Sequence, residues 1–415
     1  MGVKQIHIRL DLQTRKLDTR DLESRHVETG LFVAMNQQPL QFAHQGLEYQ
    51  RVFALLFLIL LAWPLGAQQR VGFRRTRVVD FEANSFEGGA LVSGGKTDRR
   101  LVVWGNEVLN VRIPTGRFTR FSESRGFGRG GCVVDVNNDA QPDVVLLEKG
   151  KPGETGRMVW LEAPAGALNV IDTEADFSTC LGTNMFGKDG VVVIHRHAQV
   201  RFYEIPSDPH EKWPYRDVYS IYTPSEQDGL LRLDVTGNGH PDLIAGNYWV
   251  EAPPTPDRPW HIFAINKWWE SPQSAMLRLA LVNHPDRFSS LLAAEATAEP
   301  ARVAVFDRPA DPTQLWRESP VEAIPPIRKP QAVAAADLNN DMLTDLIIGE
   351  NAGDNSRLLV YWGRPGATYQ GTRIDVTRGL IAVWPFDFND DGRMDLIGLG
   401  PSTVYFWRNQ ALKLK

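Results

Sequence analysis

Asp387-Phe-Asn-Asp-Asp391-Gly-Arg-Met-Asp395, near the C-terminus, sets side-chain oxygens at Asp387, Asn389, Asp391 and Asp395, with Gly392 inside the turn. Hard oxygen donors crowded this closely repel one another unless a cation neutralises them, and Ca2+ takes roughly six to eight such ligands. Leu380-Ile-Ala-Val-Trp384 leads in and Leu396-Ile-Gly-Leu399 leads out. The stretch therefore reads as a metal loop joining two strands.

It recurs three times. The copies are Asp135-Val-Asn137-Asn-Asp139-Ala-Gln-Pro-Asp143, Asp234-Val-Thr236-Gly-Asn238-Gly-His-Pro-Asp242 and Asp337-Leu-Asn339-Asn-Asp341-Met-Leu-Thr-Asp345, each between apolar runs. The last interval is about half of each of the other two, so a degenerate repeat is expected inside each long one. Gly190-Val-Val-Val-Ile194 sits where one exit strand belongs. Met276-Leu-Arg-Leu-Ala280 mirrors Leu230-Leu-Arg-Leu-Asp234, with Ala280 where the aspartate was.

A second marker counts the same units. Trp160-Leu-Glu-Ala-Pro164, Phe202-Tyr-Glu-Ile-Pro206 and Trp249-Val-Glu-Ala-Pro253 share one pattern, with weaker relatives at Trp104, Phe306, Trp362 and Trp407. Both markers give seven units of about fifty residues, the length of one four-stranded propeller blade. The last unit has room for three strands. Phe73-Arg-Arg-Thr-Arg-Val-Val-Asp80 resembles the fourth strands elsewhere and is expected to complete it, leaving the ring no free edge. The predicted fold is all-β: a seven-bladed β-propeller of four-stranded antiparallel blades over residues 68–415, its last blade closed by an N-terminal strand.

Composition agrees. Hydrophobic content of 43% and charged content of 23% suit a globular chain. The formal net charge of −5 argues against nucleic acid as a partner.

Residues 1–50 are polar and without apolar period. Residues 51–67, apolar from Val52, end in Pro64-Leu-Gly-Ala67. The apolar core falls short of the roughly 20 residues of a membrane span and resembles a secretory signal peptide. Met35 is then the sensible start, and what precedes it an upstream extension. The alternative is an uncleaved anchor, the only membrane association expected. Either way residues 68–415 are exported: secreted, periplasmic or at the cell surface.

The loops and the Trp-x-Glu-x-Pro turns resemble the FG-GAP or VCBS-type repeat family, known from integrin α-subunit propellers and abundant in secreted bacterial proteins. The resemblance covers about residues 71–412. It implies a Ca2+ ion in each loop, held by Asp135, Asn137, Asp139 and Asp143, by Asp234, Thr236, Asn238 and Asp242, by Asp337, Asn339, Asp341 and Asp345, and by Asp387, Asn389, Asp391 and Asp395. A seventh-position carbonyl, from Gln141, His240, Leu343 or Arg393, completes each shell. Ala140 and Met342 replace the turn glycine, so those two loops are expected to be tighter or strained, and the 234–242 loop, with two carboxylates, is expected to bind most weakly. The units near residues 90, 185 and 285 have lost the motif. Such propellers serve as monomeric ligand-binding or adhesion modules for carbohydrate or a cell-surface protein. The alternative is a carbohydrate-active enzyme similar to aldos-2-ulose dehydratases or polysaccharide lyases.

The remaining signals have structural readings. Without metal, the loops would be Asx-turn networks capping strands. The recurring tryptophans are expected between blades. Trp268-Trp269 either lines a ligand site or is buried. His195 and His197 would share one face if their segment is a strand, yet no third ligand follows at metal spacing. Cys132 and Cys180 are read as small buried residues, able to form one bond if the chain is exported.

Overall fold

The computed structural model describes residues 71–411, apart from 82–83, 94–98, 123–125, 224–225, 274–275 and 367. The expectations for residues 1–67 lie outside the described residues. Those described are almost entirely strand and turn, with one 3-10 turn at Trp268–Glu270.

Seven sheets of four antiparallel strands stand side by side as blades. In chain order they occupy residues 86–122, 127–175, 177–220, 230–264, 277–320, 332–377 and 382–411. Within each, successive strands run outward from the axis, where the first strands of neighbouring blades meet. Blade 7 has three strands of its own, and Val71–Asp80 supplies the fourth, pairing antiparallel with Thr403–Ala411. The predicted closure is therefore the observed one. Asp80 helps to hold it, accepting from Arg378 of the blade 6–7 connection and, at 3.1 Å, from the Thr403 hydroxyl.

The second strand of a blade has both faces packed against neighbouring blades. It accordingly reads as a continuous apolar run rather than an alternating one. Asp345–Gly349 and Asp395–Leu399 are buried at every residue, whereas the outer strand Thr368–Thr377 is mostly exposed. A fully buried Ile such as Ile347 or Ile397 contributes roughly 1.5–3 kcal/mol. The core is divided into seven clusters, one between each pair of adjacent blades, including the pair that closes the ring.

The tryptophan marker counts blades correctly but not in register. Trp160, Phe202 and Trp249 occupy equivalent places on third strands, opposite Val145, Val192 and Ile244. In blades 5, 6 and 7 that place belongs to Val305, Val360 and Phe406. Phe306, Trp362 and Trp407 follow one or two residues later, and Trp104 ends a second strand instead. Trp104 is nonetheless a wedge between blades 1 and 2. A Cβ at Gly88 or Gly131 would lie 2.7 Å from its indole, so both positions require glycine.

Two further expectations change. The first strand of blade 5 runs past Ala280 to Val282, which pairs with Ser290 as Val134 pairs with Asp143. Asn283 and Ser290, not Ala280, stand where the motif's first and ninth residues were. Cys132 and Cys180 form a disulfide, their Cα atoms 5.3 Å apart, between the first strands of blades 2 and 3. The sequence separation hid this proximity, because only the ring places those two strands together.

Candidate metal loops and ligand recess

All four acidic loops join the first and second strands of their blades, and all share one backbone path. The fourth residue has positive φ in each (Asn138, Gly237, Asn340, Asp390), as does the sixth (Ala140, Gly239, Met342, Gly392). Ala140 and Met342 adopt φ of 64° and 68°, so these loops are not tighter than the glycine-bearing pair. They hold the same turn with a side chain in the left-handed region.

Side chains hold this path. The first aspartate accepts from the amides of the fifth and sixth residues: at Asp387 these are Asp391 at 3.2 Å and Gly392 at 2.8 Å. The third-position Asn137, Asn339 and Asn389 accept from the fifth amide, and the fifth side chain accepts from the seventh amide. This is the Asx-turn network. It leaves oxygens of the first, third and fifth side chains gathered in one turn.

The ninth aspartate does different work. Asp143, Asp242, Asp345 and Asp395 are each 0% exposed. One oxygen of Asp345 accepts from the amide of Leu338 at 2.9 Å, the other from Gly363 at 2.8 Å near the end of the third strand. Asp143 does the same with Val136 and Ala163, and Asp242 with Val235 and Ala252. Asp395 accepts from Asn409 at 2.7 Å and from the Asn389 side-chain amide at 3.0 Å. Each thus ties its blade's second strand to the end of the third strand.

Burial pushes all four carboxyls above the ordinary carboxylate range, and the other loop aspartates add to the rise. Asp345 reaches about 7 and Asp395 about 6. No cationic side chain bonds these four carboxylates among the described residues. The blade 7 loop has basic neighbours only around its rim: Arg99 binds Asp390 at 2.7 Å and Arg408 approaches Asp391 at 3.4 Å.

Sequence reasoning missed the second loop residue, whose signal is an apolar side chain in every copy. Val136, Val235, Leu338 and Phe388 are buried, each in the cluster shared with the following blade. The loops therefore also pin blade to blade.

A family model for FG-GAP-like repeats matches residues 337–398, the loop of blade 6 through the second strand of blade 7. The chain is a seven-bladed β-propeller that carries FG-GAP-like repeat sequence at residues 337–398. No curated protein matched it.

Do the acidic loops fit a cation? Among the described residues no three His, Cys, Asp or Glu side chains converge as a preformed metal cluster. The donors that do gather include Asn, Thr and main-chain oxygen as well as carboxylate, the set a hard cation such as Ca2+ takes. Beneath them lies a buried carboxylate without a cationic partner. The donor chemistry and the uncompensated charge both fit.

On the loop face of the propeller, a recess of about 460 Å3 opens between blades 3 and 4. Phe186 and Trp260 meet edge to face in its wall, centroids 6.0 Å apart, beside Pro253 and Pro254. Asn184, Arg232 and His240 supply polar groups, and His240 belongs to the 234–242 loop. Phe186 is displayed by a two-residue hairpin turn, Phe186-Gly187, with φ of 53° and 78°. The recess combines an apolar wall with a few convergent polar groups, the usual make-up of a small-molecule site.

The other candidates separate. The strand ends at His195, while Arg196 and His197 form a turn with φ of 49° and 56°. The two imidazoles therefore do not share a strand face. Burial, then the charges of Arg201 and Arg196, hold His195 below the ordinary histidine value. Trp268 is core, its indole N–H donating to Glu318 at 3.2 Å, and Trp269 is half-buried near Tyr248. The tryptophans at 104, 160, 249 and 407 are buried between blades as expected; Trp362 is half-buried.

Proposed function

We propose that this propeller is an exported, calcium-stabilised ligand-binding module that takes carbohydrate in the recess between blades 3 and 4. The observation that carries the ligand class is the Phe186–Trp260–proline wall, with Asn184, Arg232 and His240 around it. Sugar rings stack their C–H faces on such surfaces while their hydroxyls need a few fixed polar partners. The recess volume of about 460 Å3 falls in the roughly 300–1,000 Å3 range of small-molecule sites. Calcium in the adjoining 234–242 loop would fix His240 at the rim.

Export is supported by the apolar segment at 51–67 and by the Cys132–Cys180 disulfide, a bond that persists in oxidising compartments. The expected mature N-terminus lies at or near Gln68; a soluble protein retaining Met1 would refute export. A glycan array probed with the calcium-loaded domain tests the ligand. Retention of a saccharide by the parent, and its loss in a folded Trp260→Ala variant, is the expected result. Saccharide binding indifferent to Trp260→Ala, or a surface-protein array that responds where the glycan array is empty, overturns the carbohydrate assignment. Melting with and without a chelator, alongside elemental analysis, tests the metal. An unchanged Tm and no bound calcium would sink it.

A further inference from the structure

The first strands of blades 1, 2 and 3 share a feature that blades 4 to 7 lack. Each opens on a buried phenylalanine (Phe86, Phe127, Phe177) and then slips register against its second strand. In blades 4 to 7 the same pairing runs without a shift. Bulges re-aim side chains. Here they hold Glu87, Arg129 and Ser178, at the opposite end of the first strands from the acidic loops.

Arg129 sits in Phe127-Gly-Arg-Gly-Gly131, where a Cβ on Gly130 would lie 2.4 Å from Phe177, so the backbone is packed too closely for any larger residue. Its guanidinium reaches from blade 2 to the Met276 sulfur at the start of blade 5. Arg278, also of blade 5, donates to Asp228 at 3.3 Å and to the Gln331 carbonyl at 3.2 Å. Asp228 is 1% exposed and its other oxygen accepts from the Ser178 hydroxyl at 2.7 Å and the Gly229 amide at 2.8 Å. Glu87 is paired with Lys149 at 2.7 Å. Arg278 therefore takes the Asp228 carboxylate, which is already occupied, and Arg129 makes no salt bridge among the described residues.

We propose that this cluster at the axial mouth is an anion site, taking a carboxylate, phosphate or sulfate group between Arg129 and Arg278. Planar guanidiniums suit the paired oxygens of such groups. An anion there would relieve two penalties that now fall on Arg129. Burial, then the neighbouring charge of Arg278, hold it below the ordinary arginine value, against the smaller opposing pull of Asp228 and Glu87. The anion has two sources: a free inorganic ion, or the acidic group of a larger ligand such as a uronic-acid saccharide. The site lies away from Trp260 and does not rest on the carbohydrate reading of the recess.

Calorimetric titration of the domain with sulfate, phosphate and a hexuronate oligosaccharide, at constant ionic strength against chloride, tests this. At least one should bind, and Arg129→Gln should weaken it at least about tenfold. Trp260→Ala should leave it unchanged. Binding of the inorganic ions alone assigns a free anion; tighter binding of the oligosaccharide assigns an acidic saccharide. In anion-free buffer Arg129→Gln should melt no lower than the parent, since it removes a buried guanidinium that forms no salt bridge among the described residues. No binding by any of the three, binding indifferent to Arg129→Gln, or a large fall in Tm for that variant would overturn the proposal.

Discussion

Blades 5 and 6 stand side by side and make the same connection with opposite electrostatics. Both link first and second strands through a loop that ends on a buried polar residue, Ser290 in blade 5 and Asp345 in blade 6. Ser290 hands its hydrogen bond to Asp307, 2.6 Å away, and Asp307 is flanked by Arg287 at 3.3 Å and by Arg317. Burial would raise that carboxyl, but Arg317, Ser290 and Arg287 together hold it below the ordinary range. Asp345 has only amides for partners, and burial drives it up to about 7. One blade pairs its buried carboxylate with arginines. The other holds its carboxylate by backbone amides, with no cationic side chain bonded to it among the described residues.

The comparison breaks most sharply at the ninth position. Asp345→Ala leaves the buried amides of Leu338 and Gly363 without acceptors. At about 1–3 kcal/mol for each unsatisfied group, the expected loss is about 3 kcal/mol in chelator-treated protein. Ser290→Ala should cost less, about 1 kcal/mol, because it deletes one hydroxyl and strands no amide. Equilibrium urea unfolding of the two variants gives both numbers. Equal losses would mean that Asp345 is not the strut its hydrogen bonds describe.

Calcium should act on one side of the comparison only. A ligand at a hundred times its Kd stabilises the folded state by about 2.7 kcal/mol per site. Substitutions of Asp387 or Asp391 by Ala should remove more of that increment than Asp234→Ala, whose loop has fewer carboxylates. Arg287→Gln in blade 5 should leave the increment intact. A calcium response that Arg287→Gln reduces and Asp391→Ala does not would reverse the assignment.

A smaller effect concerns the turn. Met342 is 78% exposed at φ of 68°, so Met342→Gly gives up little packing and relieves a left-handed strain of about 1–2 kcal/mol. Added chain entropy takes back part, and a net stabilisation of about 0.5 kcal/mol is expected. A destabilised Met342→Gly variant would show that the side chain holds something in place.

Which parts of this were legible in sequence follows from what repeats. The acidic loops, their spacing and the closing strand Val71–Asp80 carry local patterns, so the fold and the blade count could be read directly. The register of the aromatic marker could not. A Trp-Gly pair such as Trp104-Gly105 ends a second strand with the residues that elsewhere end a third. Asn283 and Ser290 escaped notice because a strand three residues longer than expected shifts the motif without leaving an acidic trace. The Cys132–Cys180 bond and the Arg129–Arg278 cluster depend on which blades face each other across the ring. The recess depends on a hairpin turn displaying Phe186 towards a tryptophan of the next blade.

The mildest test of the comparison is pH. Asp307 is held below the ordinary carboxylate range, so its unfolded form takes up protons first as the solution is acidified. Its contribution is fully present above the ordinary value of about 4 and is lost as pH falls through the depressed folded value. Asp307→Asn should therefore be less stable than the parent at pH 7, with the gap closing below about pH 4. The effect should be modest, because the Arg317 side chain is 70% exposed and water screens its share of the pairing. Parallel unfolding curves from pH 7 to pH 3 would show the convergence. A gap that stays constant across that range would place the stabilisation in the Ser290 hydrogen bond rather than in charge, and the contrast with blade 6 would then be one of hydrogen bonding alone.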